Sequence, residues 1–291
     1  MATLNVIGAG RVGRTLAALF SRSGAFELRE VLSSTPDSTR DAVAFIGAGA
    51  AAEALDRMQT ADVWLVTTPD REIRAACERL AAAARLRPGD LVFHCSGALS
   101  STELSAAAGC GAHVASVHPL KTFASPPEAV QTFAGTPCVA EGDGAALHAL
   151  GPAFERIGAH VLPIDASGKT LYHAASVMVC NYLVALLDTG LDCYEEAGLT
   201  RDAAAKLIEP IVRETVDNVF RVGPARSLTG PISRGDDAVI ARHLDALGTM
   251  DPRVTQIYRA LGSRAVELAR EKGTAAPDAL ARIAALLRER T

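Results

Sequence analysis

The first half of the chain alternates short apolar runs with helical patterns. Seven apolar runs predict strands at residues 4–7, 28–32, 63–67, 91–94, 113–117, 137–140 and 160–164. Between them, apolar positions recur every three or four residues in alanine-rich stretches such as 11–23 and 71–84, which predicts helices. Alternating strands and helices form βαβ units. We therefore expect an α/β fold with a doubly wound, mainly parallel sheet of the Rossmann type.

The pattern changes near residue 166. Beyond it only helical periodicity is found, and the predicted helices span residues 169–197, 201–221, 236–247, 252–272 and 277–290. We therefore expect two domains, an α/β domain over residues 1–166 and an all-helical domain over residues 167–291.

A glycine-rich turn separates the first predicted strand from the first predicted helix. Its sequence is Gly8-Ala9-Gly10-Arg11-Val12-Gly13. In this pattern Gly8 permits a tight turn, Gly10 lets a diphosphate approach the backbone, and Gly13 lets the helix pack on the strand. Free amides and the helix dipole then attract phosphate. The position between strand and helix favours a dinucleotide-binding domain over a structural turn, and these six residues are the predicted cofactor contacts.

The end of the second predicted strand bears on which dinucleotide is bound. NAD-binding sites place Asp or Glu on the ribose hydroxyls about twenty residues beyond the glycines, whereas this strand ends in Ser33, Ser34 and Thr35. Hydroxyls suit a 2′-phosphate, with Arg11 or Arg40 as a charge partner. We therefore expect NADP in preference to NAD, the alternative being that these residues form a polar turn.

Three further strand ends carry polar residues, and ligands bind beyond the carboxyl ends of parallel strands. Thr67, Thr68 and Pro69 are expected to contact the cofactor ribose. Ser96 would contact the nicotinamide or the substrate, unless its hydroxyl only closes a turn. His118 is held extended by the proline after it and is suited to proton exchange near neutral pH, although a structural histidine fits the pattern equally well.

Polar residues also form a stripe on the first helix of the second half. They follow helical spacing: Lys169, His173, Ser176 and Cys180, with Asn181 on the flank. A polar stripe is costly to bury unpaired, so we expect it to face a cleft between the domains, the alternative being an ordinary solvent-exposed face. In the loop 229–236, Arg234 could bind a carboxylate or phosphate with two hydrogen bonds, or merely belong to a capped connection between helices.

Composition narrows the range of partners. The 291 residues are 49% hydrophobic and 21% charged, with a formal net charge of −4, which disfavours nucleic acid and anionic membranes as partners. The six cysteines show no zinc-binding spacing, so we expect reduced thiols and no metal site. The longest apolar stretch, 174–187, is too short to cross a bilayer, and the N-terminus lacks a signal-peptide pattern. We therefore expect a cytoplasmic protein.

Several segments together resemble a known family. They are residues 8–13, 94–97, 118–120, 172–175, 181–183 and 229–236. With these segments the chain resembles predicted oxidoreductases that join a Rossmann-like N-terminal domain to a helical C-terminal domain of unknown function, the DUF2520 type. The resemblance implies a cofactor-binding first domain and a homodimer joined through the helices of the second, and it implies no particular substrate.

More distantly, the layout is similar to pyrroline-5-carboxylate reductases, β-hydroxyacid dehydrogenases and prephenate dehydrogenases. Prephenate dehydrogenases carry a His-Pro pair at the matching strand end, where the histidine assists oxidation of a hydroxyl, and this resemblance favours His118. β-Hydroxyacid dehydrogenases place a catalytic lysine shortly before an asparagine, which Asn181 matches. Ser176 stands where that lysine would be, and Lys169 lies about two turns too early, so this particular activity is disfavoured.

The leading hypothesis is an NAD(P)-dependent oxidoreductase. It would transfer hydride between nicotinamide and a small carbonyl, imine or hydroxy compound bound between the domains. His118 would exchange the proton and Ser96 would position the substrate, while Lys169, His173, Asn181 and Arg234 would line the cleft. The alternative is a non-catalytic dinucleotide-binding or regulatory protein, which the missing lysine supports.

Overall fold

The chain divides into two compact units. A computed structural model describes residues 1–288, and the contacts between residues group them as Met1–Cys180 and Asn181–Thr291. These are called unit 1 and unit 2 below.

Unit 1 is built on a sheet of eight strands. They are β1 Thr3–Ile7, β2 Glu27–Leu32, β3 Ala50–Ala51, β4 Val63–Val66, β5 Leu91–His94, β6 His113–Pro119, β7 Pro137–Gly142 and β8 His160–Pro163. Their order is β3-β2-β1-β4-β5-β6-β7-β8, and every neighbouring pair is parallel except β6 with β7. The predicted Rossmann-type, mainly parallel sheet is confirmed. The sequence missed only β3, because two residues are too few to produce a periodic pattern.

The two edges of this sheet are short. β3 contributes only two residues at one edge, and β8 contributes four at the other. β8 also ends at Pro163, which has no backbone N–H to offer a further strand.

Helices cover both faces of the sheet. Those of unit 1 are α1 Arg11–Ser23, α2 Pro36–Ile46, α3 Asp70–Ala82, α4 Ser105–Gly109, α5 Pro126–Gln131, α6 Gly144–Arg156 and α7 Lys169–Val179. Successive strand residues point to opposite faces, so Val6 belongs to one apolar core and Ile7 to the other. In the first core, Phe154 of α6 meets Phe20 and Phe93 edge to face, with ring centroids 5.2 and 6.0 Å apart. The sheet is therefore buried between two helical layers.

Unit 1 extends beyond residue 166, where the sequence pattern placed the domain boundary. The first residue of α7, Lys169, donates from its amine to the carbonyl oxygen of Ser96 at 2.9 Å and to the hydroxyl of Ser116 at 2.7 Å. These partners are 73 and 53 residues away in the sequence. Periodicity reports only local structure, so it could not reveal that α7 groups with the sheet.

Unit 2 is helical throughout its described part. Its helices are α8 Asn181–Glu196, α9 Arg201–Val222, α10 Pro224–Ser227, α11 Gly230–Arg234, α12 Asp237–Leu247, α13 Pro252–Lys272 and α14 Pro277–Leu287. A small core forms where α11, α12, α13 and α14 meet, around Ile240, Val266 and Ile283. The expected helical C-terminal region is confirmed.

Three details of the helix prediction need correction. The helix expected over 169–197 is interrupted at Cys180, which separates α7 from α8. The segment 229–236, read as a loop, contains the one-turn helix α11, after which Asp236 caps α12 by accepting from the amide of Val239 at 3.2 Å. The last helix ends at Leu287, and residues 289 and 290 of the expected range lie outside the described residues.

One stretch also corrects the membrane expectation. Residues Ala166–Glu196 form an almost continuous helical stretch of 31 residues, and its most apolar window of 18 residues has a mean hydropathy of 1.5 and is not buried. By length and composition alone it could cross a bilayer. The sequence analysis considered only residues 174–187 and predicted that no apolar segment is long enough to cross a bilayer. That prediction is wrong about the length of the segment, but one such helix is weak evidence for a membrane.

Candidate functional site

The turn between β1 and α1 leaves backbone amides open at the start of a helix. Gly10 precedes α1 without any side-chain cap, and the first turn of α1 holds no acidic residue. A Cβ placed on Gly10 would meet no atom within 4 Å, so the space in front of these amides is free. A helix N-terminus of this kind attracts a phosphate group. The glycines therefore form a cradle that fits a diphosphate.

The other two glycines are required by packing. A Cβ on Gly13 would lie 2.3 Å from the Thr67 hydroxyl and 2.6 Å from the Gly8 carbonyl oxygen, and one on Gly8 would lie 2.5 Å from the Thr68 nitrogen. Gly8 also has a φ of +89°, which disfavours side chains. Thr67 donates its hydroxyl to the Gly8 carbonyl at 2.6 Å, and this bond ties the β1–α1 turn to the end of β4.

A cleft of about 920 Å³ lies beside the cradle, which is within the usual range for cofactor sites. Seven of the predicted cofactor residues line it: Gly8, Gly10, Ser33, Ser34, Thr67, Thr68 and Pro69. The hydroxyl of Thr68 is buried without a hydrogen-bond partner in the described chain. Buried polar groups are ordinarily hydrogen-bonded, so a bound ligand would supply the missing partner. The observed donors and space therefore fit a dinucleotide.

The remaining predicted cofactor residues do not line this cleft. They are Ala9, Arg11, Val12, Gly13 and Ser96. Ala9 and Gly13 are buried in the packing of α1, Val12 packs against the core, and Arg11 is exposed. The sequence missed other lining residues, among them Glu53, Arg71 and Arg79. They belong to no motif and reach the cleft only through the fold.

Of the two arginines proposed for a 2′-phosphate, Arg40 is engaged elsewhere. Its guanidinium forms an ion pair with Asp37 three residues earlier. The side chain of Arg11, the first residue of α1, makes no hydrogen bond or ion pair within residues 1–288 and stays exposed. Ser33 and Ser34 present the expected hydroxyl-rich end of β2 to the cleft. Of the two side chains, that of Arg11 is therefore the one not engaged within residues 1–288, although it does not line the cleft.

The loop after β5 is held by a hydrogen-bond network around Ser96. Its hydroxyl donates to Asp70 at 2.7 Å and accepts from the amides of Ala98 and Leu99 at 3.2 and 3.0 Å. This occupies the full capacity of the hydroxyl. The expected contact of Ser96 with nicotinamide or substrate would therefore require one of these bonds to break. Asp70, the first residue of α3, is thus the acceptor that ties this loop to the helix.

His94 is a structural histidine in this loop. It is fully buried; its Nδ1 accepts from the Ser96 amide at 3.1 Å, and its Nε2 bonds to the Ser100 carbonyl at 3.0 Å. Both ring nitrogens are thus satisfied in one neutral tautomer. Burial lowers the pKa of His94 to about 4, so the ring stays neutral at physiological pH.

His118 lies at the carboxyl end of β6 and is bonded to α7. Its Nδ1 lies 3.0 Å from the hydroxyl of Tyr172, and the two rings meet edge to face. Its Nε2 makes no hydrogen bond within residues 1–288. Burial, with the nearby charges of Lys169 and His173, lowers the pKa of His118 to about 4. The ring therefore has one anchored nitrogen and one free nitrogen, and is neutral at pH 7.

His173 lies next to His118. The ring centroids are 6.0 Å apart, and the Nδ1 of His173 is buried without a hydrogen-bond partner in the described chain. Gly97 packs against both rings, because a Cβ there would lie 2.5 Å from His173 Nδ1 and 2.9 Å from His118 Cε1. The structure thus brings the predicted residues His118, His173 and the Ser96 loop together. Only a glycine allows both rings to lie this close to the loop.

One residue of this cluster was not predicted, and another was predicted with a different role. Tyr172, which orients His118, occurs in the sequence beside His173, but its partner is 54 residues away. Lys169 was placed only in the cleft lining, whereas its amine is buried beneath the cluster and 1% exposed. Lys169 lies three residues before Tyr172 and four before His173, and this spacing was the available signal, since residues three and four apart share a helix face.

The other two predicted residues belong to unit 2. Asn181 is the exposed first residue of α8, and Arg234 is the exposed last residue of α11. Neither side chain makes a hydrogen bond or ion pair with any of residues 1–288. Their part in a substrate site stays a prediction.

Comparison with known proteins identifies two domains in the chain. The profile of a Rossmann-like domain matches residues 2–119, and that of a domain of unknown function, DUF2520, matches residues 136–265. No curated protein matches the chain.

Solved structures share the fold over almost the whole chain. A Thermotoga maritima protein is 25% identical, with a TM-score of 0.72, and the match covers 93% of this chain and 100% of that one. A provisionally assigned NADP oxidoreductase from Bacteroides fragilis is 22% identical, with a TM-score of 0.71 and coverage of 93% and 97%. An imine reductase from Myxococcus stipitatus in complex with NADP+ is 17% identical, with a TM-score of 0.61 and coverage of 98% and 92%.

The buried neutral His94 predicts a loss of stability in acid. The unfolded chain binds a proton at His94 below pH 6.5, whereas the folded chain does so only near pH 4, so the free energy of unfolding falls as the pH falls through this window. Each such histidine contributes a slope of up to about 1.4 kcal/mol per pH unit. Denaturant titrations from pH 7 to 4 should show a shallower slope for His94→Gln than for the wild type. His148→Gln, at an exposed position, is the control, and equal slopes in all three proteins would contradict the assignment.

Proposed function

We propose that this chain, which belongs to the family joining a Rossmann-like domain to DUF2520, is an oxidoreductase that uses a nicotinamide dinucleotide. Its substrate would be a small carbonyl, imine or hydroxy compound. The observation that carries the proposal is the open amide cradle at Gly10 within the same unit as the His118–Tyr172 pair. Similar folds in NADP-binding reductases support the choice of cofactor class.

The cofactor would lie in the cleft beside the cradle. The amides at the start of α1 would hold the diphosphate, and the hydroxyl of Thr68 would gain a partner. Ser33 and Ser34, which line the cleft, and the exposed side chain of Arg11 would contact the 2′-phosphate of NADP, which we therefore favour over NAD. When bound, the nicotinamide would supply or accept the hydride.

His118 would exchange the accompanying proton at Nε2. With its Nδ1–H donating to the Tyr172 oxygen, the neutral ring keeps a lone pair on Nε2 that can take a proton from a hydroxyl group. The resulting imidazolium keeps the same hydrogen bond to Tyr172. A low pKa favours the neutral, proton-accepting form, so the site is better suited to oxidising a hydroxyl than to protonating a carbonyl oxygen.

The rival function is dinucleotide binding without catalysis. The engaged hydroxyl of Ser96 and the burial of Lys169 favour it, because they leave His118 as the main free acid or base of the cluster. A protein that only binds the dinucleotide would neither oxidise nor reduce it in the presence of any carbonyl, imine or hydroxy compound. Activity measurements therefore separate the two functions.

Two glycine variants test the cradle. The backbone at Gly10 (φ −70°, ψ −158°) suits alanine, so Gly10→Ala should keep the unfolding midpoint while weakening dinucleotide binding about tenfold or more, because its methyl enters the phosphate space. Gly13→Ala should instead lose about 1–3 kcal/mol of stability, because its Cβ meets Thr67 and the Gly8 carbonyl. Fluorescence titrations with NADPH and NADH measure both affinity and preference. If Gly10→Ala bound the dinucleotide as tightly as the wild type, the cradle would not be the diphosphate-binding site.

His118→Asn tests the proton-exchange step. Turnover of any carbonyl, imine or alcohol that the wild type accepts should fall by roughly 10²–10⁴-fold, with dinucleotide affinity unchanged. Because His118 stays neutral down to about pH 4, oxidation by the wild type should not decline between pH 7 and 5. A midpoint near 6.5, or full activity in the variant, would show that another group exchanges the proton.

We further propose that unit 2 forms a homodimer. No residue of α8 is buried, and Ala204 alone is buried in α9. Large apolar side chains are exposed on both helices, among them Val184 at 70%, Ile211 at 63% and Phe220 at 86%. Soluble monomers rarely expose contiguous apolar patches of this kind. A second copy of the chain would cover them, as the resemblance to the family implies.

Light scattering after gel filtration in detergent-free buffer tests the dimer. The wild type should elute as a dimer, and Val184→Asp with Ile211→Asp should convert it to a monomer by placing charges in the interface. Asp217→Asn on α9, an exposed polar position, is the matched control and should remain dimeric. A monomeric wild type, or a protein that stays soluble only in detergent, would contradict the proposal.

A further inference from the structure

The amine of Lys169 occupies a position that stability alone does not explain. Its side chain is 1% exposed, yet no carboxylate lies within ion-pair distance among residues 1–288. It also begins α7, and a positive charge is unfavourable at the positive end of a helix dipole. Burying an ammonium without a countercharge is costly. A neutral apolar residue here would avoid these costs.

The bonds of this amine fix α7 against the sheet. It donates to the Ser96 carbonyl on the loop after β5 and to the Ser116 hydroxyl on β6. His118 lies two residues beyond Ser116 on the same face of the strand, and Tyr172 lies three residues beyond Lys169 on the same face of the helix. The helix and strand are therefore joined at two points, by Lys169 to Ser116 and by Tyr172 to His118.

We propose that Lys169 is a positioning residue for His118: it sets the register between α7 and β6 that forms the Tyr172–His118 hydrogen bond. This inference rests on the proposed function for its catalytic meaning. Lys169 itself touches neither substrate nor cofactor, because its amine is enclosed by protein.

The charges around the two groups support this arrangement. Lys169 and His173 on α7 disfavour a proton on His118, and Asp70 on α3 favours one. Around Lys169, burial opposes the charged form, whereas Glu141 on β7, Cys95 after β5 and Asp70 favour it. Glu141 is itself committed to the amide and hydroxyl of Ser101. Loss of the lysine would remove the larger of the two charges that disfavour this proton, so the imidazole should bind a proton more readily.

The test is a proton NMR titration of the histidines in the dinucleotide-free protein. The His118 signal is assigned by its absence in His118→Asn. In Lys169→Met, which keeps the length of the side chain, the pKa of His118 should rise by about one unit or more from its value near 4. With an accepted substrate, kcat should fall about tenfold while the KM for the dinucleotide stays within about twofold. Lys272→Met is the matched control, since that amine bonds a carbonyl in unit 2 at 2.7 Å.

A second variant keeps the inference falsifiable if Lys169→Met does not fold. Ser116→Ala removes one of the two acceptors and should shift the His118 titration in the same direction by a smaller amount. Unchanged titration and unchanged kcat in the variant that folds would overturn the inference. A shifted titration in a protein that oxidises and reduces nothing would support the positioning of His118 and reject the proposed function, so the two failures are distinguishable.

Discussion

The contact on which unit 1 depends is the close approach of the β1–α1 turn to the end of β4. It exists because Gly8 and Gly13 carry no side chains, and it is closed by the hydrogen bond from Thr67 to the Gly8 carbonyl at 2.6 Å. This approach aims α1 so that its first amides stay free and face open space. The same backbone geometry thus serves both packing and phosphate binding. A side chain at Gly8 or Gly13 would disturb the packing, whereas one at Gly10 would enter the space in front of the amides.

Much of unit 1 could be predicted from the sequence because its chemistry is local. Strands buried on both faces appear as uninterrupted apolar runs, and glycines between a strand and a helix mark a phosphate site by their order alone. The two-residue β3 could not be found, because its extended form depends on pairing with β2.

The candidate site was only half predictable, because its hydrogen bonds join distant segments. His118 could be named from the proline after it, but not its dependence on Tyr172, 54 residues away. Ser96 was chosen because it follows a strand end, with a turn-closing hydroxyl as the alternative, and only the fold shows that Asp70 and two amides of its own loop occupy that hydroxyl. Lys169 begins a helix, where a lysine is ordinarily solvated, and nothing local indicates its burial. Sequence identifies reactive groups more readily than it identifies which of them are already engaged.

The short edges of the sheet have a consequence for how this protein would aggregate. An exposed edge strand can recruit strands from other molecules, but β3 offers two residues and β8 ends at a proline. Fibrillar growth by edge-to-edge pairing is therefore blocked in the native state at both ends of the sheet. Self-association at high concentration should begin instead on the apolar helices of unit 2, and the resulting precipitate should keep its helical content.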